Sequence, residues 1–244
     1  MLMMAAPFAA SAASDSYVDS LWNSAAQSYA DGAWEDALSV YLSIDKLGLE
    51  SPYLYCNIGN AYFKSSDYPH AILYYERALK LDPSCSDARY NLQVVSGQIQ
   101  DKIDPVPEFL LKEWTRAVCY TLDSDAWAWL AIVLLAASVA MGLLFFLASS
   151  SAARKTGFAL AVVFILMTVS SFSFSVWQKN DYMRADSAIV MVPVTSVKSS
   201  PSEEVSKDLF ILHEGTKVTI LDSVGDWLNI ELADGRQGWV GSSD

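Results

Sequence analysis

The stretch PYLYCNIGNAYFKSSDYPHAILYYERALKLDP, residues 52–83, decides how the first half of the chain folds. Compared with the residues before it, it shows a period: Trp34 and Tyr68, Ala37 and Ala71, and Tyr41 and Tyr75 each stand 34 positions apart. A fixed period of that length marks helical repeats, each unable to bury its apolar face alone. Within the quoted copy, Ile58, Gly59, Tyr62, Tyr68, Ala71, Tyr75, Ala78 and Pro83 fall at positions 7, 8, 11, 17, 20, 24, 27 and 32 of a 34-residue unit. Gly59 and Ala71 are small where two helices would cross, and the large residues between them fill the groove beside. Pro83 ends the second helix.

These eight positions resemble the tetratricopeptide repeat. The first copy, from about Val18 to Ser51, keeps Ala25, Trp34, Ala37 and Tyr41 but has Ser28 at position 11 and ends in GLES. A third begins at Ser86 with DARYNLQVV and dissolves after Gly97. Residues 18–104 thus read as about two and a half repeats: two helical hairpins and a closing helix. Three repeats are usually needed for a stable stack, so the array is expected to lean on a second copy, a partner or a neighbouring amphipathic helix. The resemblance implies a peptide-binding groove at unit positions 2, 5, 9, 12 and 13. Here those give Trp22, Tyr29, Tyr53, Asn60, Phe63, Lys64 and Tyr90. The set lacks the several Lys/Arg of carboxylate-binding repeats, and the alternative for its aromatics is a place in the core.

The chain's net charge of −12 is unevenly spread. Residues 1–125 hold 8 basic and 17 acidic side chains, residues 126–177 only Arg154 and Lys155, and residues 178–244 hold 6 basic and 11 acidic. Two acidic parts therefore flank an apolar middle. Nucleic acid needs clustered Lys/Arg and is excluded as an expected partner. WLAIVLLAASVAMGLLFFLA (129–148) and GFALAVVFILMTVSSFSFSVW (157–177) carry no charge. Each reaches about 30 Å as a helix, the thickness of a bilayer's hydrocarbon. Spans are expected at 127–148 and 157–177, joined by a basic loop at 149–156 within SSSAARKTG. Trp127, Trp129 and Trp177 would gather at the end opposite that loop, as an interfacial belt does. Ala136, Ala137, Ala140 and Gly142 suit close helix packing. Residues 105–125 read as a juxtamembrane linker with Leu110, Leu111, Trp114, Ala117 and Val118 on one helical face and Lys112, Glu113 and Arg116 on the other. Such a helix lies on a bilayer surface or packs against the first domain.

From about Ala188 the period changes to that of strands. Lys217 to Leu221 alternates strictly, and Asp234-Gly235 between NIEL and QGWV signals a two-residue hairpin turn. Five short strands over 188–244 resemble a bacterial SH3-like domain, a small barrel. Such domains bind peptide or glycan through surface aromatics, which here would be Trp227 and Trp239, one of them expected in the core. The fold class expected is thus multidomain: all-α tetratricopeptide hairpins, a two-helix transmembrane hairpin and a small all-β SH3-like barrel.

No nucleotide loop or nucleophile elbow occurs, and His70 and His213 have no His or Cys partner at ligand spacing. No charge lies within a span. No enzyme, cofactor or metal is expected. Cys56, Cys85 and Cys119 are odd in number, and Cys56 reads as a small buried hydrophobe. A Cys56–Cys85 bridge would require the fold to bring the two together. Residues 1–13, with an apolar run and the small residues Ala10-Ser11-Ala12, read as an export signal whose basic start is lacking, or as an ordinary tail. With export, the repeats and the SH3-like domain lie in the periplasm and Arg154-Lys155 face the cytoplasm, in line with the positive-inside rule.

The order of parts, with DPVPEFLLKEWTR (104–116), the Trp-rich hairpin and the segments DSAIVMVPVTSVKSSPS and GDWLNIELADGRQGWV, resembles the bacterial aerotolerance (Bat) family. That resemblance implies a two-pass inner-membrane scaffold encoded with a MoxR-type AAA+ ATPase and with membrane proteins bearing von Willebrand A domains. It implies a role in maintaining envelope proteins and tolerating oxygen or stress. The partners it implies are those proteins and the lipid bilayer. A rival reading is an envelope sensor or tether whose SH3-like domain binds peptidoglycan or peptide.

Overall fold

The computed structural model describes residues 6–106, 110–184, 186–203 and 206–242. The chain forms two compact units, one of Met1–Val106 with Asp186–Asp244 and one of Pro107–Ala185. Of the expected export signal, Met1–Ala5 lie outside the described residues, and from Ala6 the backbone is helical. Pro107–Phe109 of the expected linker also lie outside them, as do Glu204, Val205 and the last two residues of the SH3-like segment.

The first unit begins with five helices: α1 (Ala6–Ala30), α2 (Trp34–Asp45), α3 (Pro52–Lys64), α4 (Tyr68–Leu81) and α5 (Ser86–Ser96). Helix starts follow from local chemistry. Pro52 opens α3 at a position whose N–H has no intrahelical partner. Asp67 caps α4, accepting the His70 N–H at 3.3 Å. The core of the stack is Ala25, Ala37, Tyr41, Ile58, Ala71, Tyr75 and Ala88, all almost without solvent contact. At the α3–α4 crossing a Cβ on Gly59 would sit 2.7 Å from the Tyr75 ring, so only glycine allows this approach. The weaker first copy makes the same kind of hairpin, with Trp22 edge-on to Tyr41 at 5.7 Å.

The short stack leans on the C-terminal sheet, a support not foreseen from the sequence. Ile189 packs against the repeat core, and Ile103 against the core of the sheet. A Cβ on Gly215 would lie 3.2 Å from Ile72 of α4 and 2.6 Å from Ile99 beyond α5. A third repeat without its second helix leaves apolar surface at α4 and α5. The sheet and residues 97–106 cover part of it.

The sheet has six antiparallel strands among the described residues: β1 (Ser187–Ile189), β2 (Val194–Lys198), β3 (Asp208–His213), β4 (Lys217–Val224), β5 (Trp227–Glu231) and β6 (Gln237–Gly241), in the order β1-β4-β5-β6-β2-β3. One face buries Val197, Leu212, Val218, Ile230 and Val240. The β5–β6 hairpin forms where Asp234-Gly235 placed it, with one correction. The Leu232 N–H bonds the Arg236 carbonyl at 2.9 Å and the Gly235 N–H the Leu232 carbonyl at 2.9 Å, so the loop is Ala233–Gly235, three residues. The three-residue form is the next commonest hairpin and also places Gly at its last position.

The second unit holds α6 (Leu110–Cys119), α7 (Ser124–Leu147) and α8 (Ser151–Met183). Helices α7 and α8 are long and apolar enough to cross a membrane, each holding an 18-residue stretch of high mean hydropathy, 2.7 and 2.2. The expected basic loop is mostly helix. Ser150 caps α8 by accepting the Ala153 N–H at 3.2 Å, so the turn is only Ala148–Ser150, and Arg154 and Lys155 lie in the first turns of α8. The small residues at the helix contact also differ from those expected. Ala136 and Ala140 are exposed, while Ala131, Ser138, Gly157, Ser171 and Ser175 are buried. A Cβ on Gly157 would lie 2.9 Å from the Met141 carbonyl oxygen, fixing the closest approach.

Candidate interaction surfaces

The helices α1, α3 and α5 carry every residue expected in the groove, and burial divides them. Tyr53 and Tyr90 are 72% and 67% exposed. Lys64 is exposed and holds its ammonium 5.6 Å from the centre of the Trp34 ring. Trp22, Tyr29 and Phe63 are half-buried against the repeat core, Tyr29 edge-on to Trp34 at 4.8 Å and Phe63 5.9 Å from Tyr68. Asn60 joins three helices instead: its Oδ1 accepts the Tyr75 hydroxyl at 2.7 Å and the Asn91 side-chain amide at 2.8 Å. Tyr53, Lys64 and Tyr90 therefore remain available, and the other four contribute to the stack. The sheet packs on α4, through Ile72 and Glu76, and leaves the two tyrosines uncovered.

Trp227 and Trp239 share a face of the sheet. In the register Trp239 opposes Asn229 and Trp227 opposes Gly241, so both side chains project away from the buried Ile230 and Val240. Both are half-buried and neither belongs to the core, which corrects the expectation that one would. Lys198 stands opposite Trp239 in β2, with its ammonium 5.6 Å from the Trp227 ring centre and 3.0 Å from Glu203. Two indoles flanked by a cation, with the Gln237 amide donating to Glu231 at 2.9 Å nearby, make a platform of flat apolar surface rimmed by polar groups. Period-2 alternation of DWLNIEL against GRQGWV held the signal for this shared face. Lys198, twenty-nine residues before Trp227, was not foreseen.

The surface of the α7–α8 pair is its own chemistry. Four of its serines lie between the helices: the Ser138 hydroxyl donates to the Ala161 carbonyl at 3.0 Å, that of Ser171 to the Trp127 carbonyl at 2.7 Å, and that of Ser124 to the Ser175 carbonyl at 3.1 Å, whereas the exposed Ser170 and Ser173 bond within α8. Ile132, Val133, Val139, Phe146, Leu166 and Val169 are exposed. A soluble core helix has the opposite arrangement, whereas hydrocarbon solvent favours this one. Trp127, Trp129 and Trp177 lie at one end of the pair, where the Trp127 indole N–H donates to the Cys119 carbonyl at 2.7 Å. Helix α6 is tied to that end by Gln178, whose amide donates to the Cys119 carbonyl at the end of α6 and, at 2.8 Å, to the Leu122 carbonyl beyond it, and α6 exposes Leu110, Trp114 and Val118.

Cys56 supplies no reactive nucleophile on the repeats. Cys56 is buried, and its thiol is pushed up to about 11 by burial first and by neighbouring negative charge second. At neutral pH it stays protonated. Cys56 and Cys85 are both free thiols.

The family comparisons agree with this geometry. The model of the tetratricopeptide repeat matches residues 52–85, which is α3, α4 and the turn into α5. The model of the bacterial SH3 domain matches residues 193–244, from β2 to the end of the chain. No curated protein matches the chain. The molecule is thus a helical-repeat and SH3-like protein with two helices that can span a bilayer. Both named modules are of kinds that are typically non-catalytic and serve interaction with protein or peptidoglycan.

Proposed function

We propose that the protein is a membrane-anchored interaction scaffold without catalysis of its own, of the BatE type within the Bat family. In this reading α7 and α8 cross the inner membrane, and the repeats and SH3-like domain work in the periplasm. The repeats hold a segment of a von Willebrand A-domain membrane protein that acts with a MoxR-type ATPase in keeping the envelope intact under oxygen or stress. The observation that carries the scaffold reading is the pair Tyr53 and Tyr90, left exposed on α3 and α5 while the sheet occupies α4. Exposed aromatics of this size recur at recognition sites because they bury much area at little entropic cost.

Two experiments test it. Alkaline phosphatase fused after Asp104, after Ser149 and at Asp244 is expected to be active at both ends and inactive at the turn. The reverse pattern removes the periplasm from the reading. In detergent extracts the full chain is expected to retain a von Willebrand A-domain partner, and Tyr53→Ala with Tyr90→Ala to release it. Retention by the double variant overturns the groove.

A second reading has its own observation, the shared face of Trp227, Trp239 and Lys198. Indoles sharing one face suit the flat faces of sugar rings, so this face is a candidate for peptidoglycan. Sedimentation of the full chain with purified sacculi, lost in Trp239→Ala, supports a tether, and absence of sedimentation rules it out.

A further inference from the structure

The repeat stack and the sheet meet through a polar cluster centred on Asp101, five residues past the end of α5. Its carboxylate is fully engaged by the β3–β4 turn. One oxygen accepts the His213 backbone N–H at 2.7 Å and the Thr216 hydroxyl at 2.8 Å, and the other lies 2.8 Å from His213 Nδ1. Thr216 is 2% exposed, and the Asp101 and His213 side chains are largely shielded. Water competes weakly for bonds in such a place, which strengthens them. Burial alone would raise the Asp101 carboxyl, but the bonds from the His213 N–H, the His213 ring and the Thr216 hydroxyl outweigh it and hold the group below its ordinary value. The charge is therefore kept.

Neighbouring contacts frame this cluster without duplicating it. Ile72 and Ile99 meet Gly215, and the Val106 N–H donates to the Ala233 carbonyl at 3.0 Å. Glu76 of α4 pairs with Lys217 at 2.7 Å, yet those side chains are 26% and 48% exposed. An ion pair that wet contributes little. Asp101 differs because its loss strands a shielded N–H and a buried hydroxyl with no acceptor.

We propose that Asp101 is an intramolecular latch that locks the SH3-like sheet onto the repeat stack, so that the two modules open and close as one cooperative unit. The latch makes each recognition surface sensitive to the state of the other. A ligand that stiffens the repeats also restrains the sheet, and the reciprocal effect follows from linkage. It does not depend on what either surface binds.

Hydrogen exchange on the full chain in lipid nanodiscs tests this. Asp101→Ala is expected to speed exchange about tenfold or more at the β3–β4 turn and also in α4 and α5, because the His213 N–H and the Thr216 hydroxyl then lose their acceptor. Glu76→Gln is expected to change exchange less than about threefold at the same sites. Faster exchange confined to residues 97–106, or equal effects of the two variants, overturns the latch. Where Asp101→Ala does not fold, Thr216→Val removes a single donor. A rise in both modules supports the proposal, and a rise in one alone or in neither overturns it.

Discussion

In the repeat stack Ile58, Leu54 and Tyr75 are inside and the charges are outside; in the α7–α8 pair Ser138, Ser171 and Ser175 are inside and Leu166, Phe146 and Val133 are outside. The same twenty side chains obey one rule in both places, since each group seeks the medium that solvates it. Water expels the apolar residues of the stack. Hydrocarbon has no such preference, so the helix pair gathers its hydroxyls and its small residues for close packing and hydrogen bonding instead. The contrast shows that a fold is read against its solvent, and the inverted burial of α7 and α8 is the arrangement a hydrocarbon solvent favours.

Single substitutions can break or sharpen this contrast. Ile58→Ala opens a cavity in the fully buried stack and is expected to cost about 2–5 kcal/mol, measured by urea unfolding of the repeats followed through their own fluorescence. Leu166→Asp, on the exposed face of α8, is expected to oppose membrane insertion by about 2.5–3.5 kcal/mol in an insertion assay. Leu47→Asp, comparably exposed on the repeats, should stay within about 0.5 kcal/mol. Equal effects of the two aspartates would abolish the contrast and place α8 in water.

The join between stack and sheet responds to pH in a direction the Asp101 geometry fixes. Its folded carboxyl titrates below its unfolded value. The stabilisation is therefore complete above the ordinary carboxylate range, about pH 4, and is lost as pH falls through the lowered folded value. His213, Thr216, Glu76 and Lys217 are the polar groups facing this site, and Asp101→Asn should flatten the acid limb that exchange at the β3–β4 turn displays. A small effect belongs to the helix pair. Ser171→Ala removes one hydroxyl bond to the Trp127 carbonyl and is expected to cost about 0.6 kcal/mol in steric-trap unfolding, because the separated helices also find partners for the serine.

Much of this was legible in the chain itself. The 34-residue period placed α3 and α4, and the small residues Gly59 and Ala71 marked their crossing, because size complementarity at a helix crossing is a local pattern. Two runs without charge announced α7 and α8, since length and composition alone decide which helices can span a bilayer. Strand alternation and Asp234-Gly235 located the β5–β6 hairpin. The composition of the turn allowed two loop lengths, and only the hydrogen bonds between Leu232 and Arg236 chose three residues.

Other features came from tertiary contact alone. Which small residues pack the hairpin depends on how α7 is rotated against α8, and rotation moved the contact from Ala136 and Ala140 to Ala131 and Ser138. Asn60 was legible as a groove residue but is held by Tyr75 and Asn91, because a side chain's role is set by what stands within its reach. The sheet's place on α4, the face shared by Trp227 and Trp239 with Lys198, and the latch at Asp101 join residues separated by up to 141 positions. Period and propensity act over a few turns. Sequence thus determined the modules and which helices are long and apolar enough to cross a bilayer, and tertiary structure decided which module supports which, because contacts that distant are selected only when the whole chain has buried its surface.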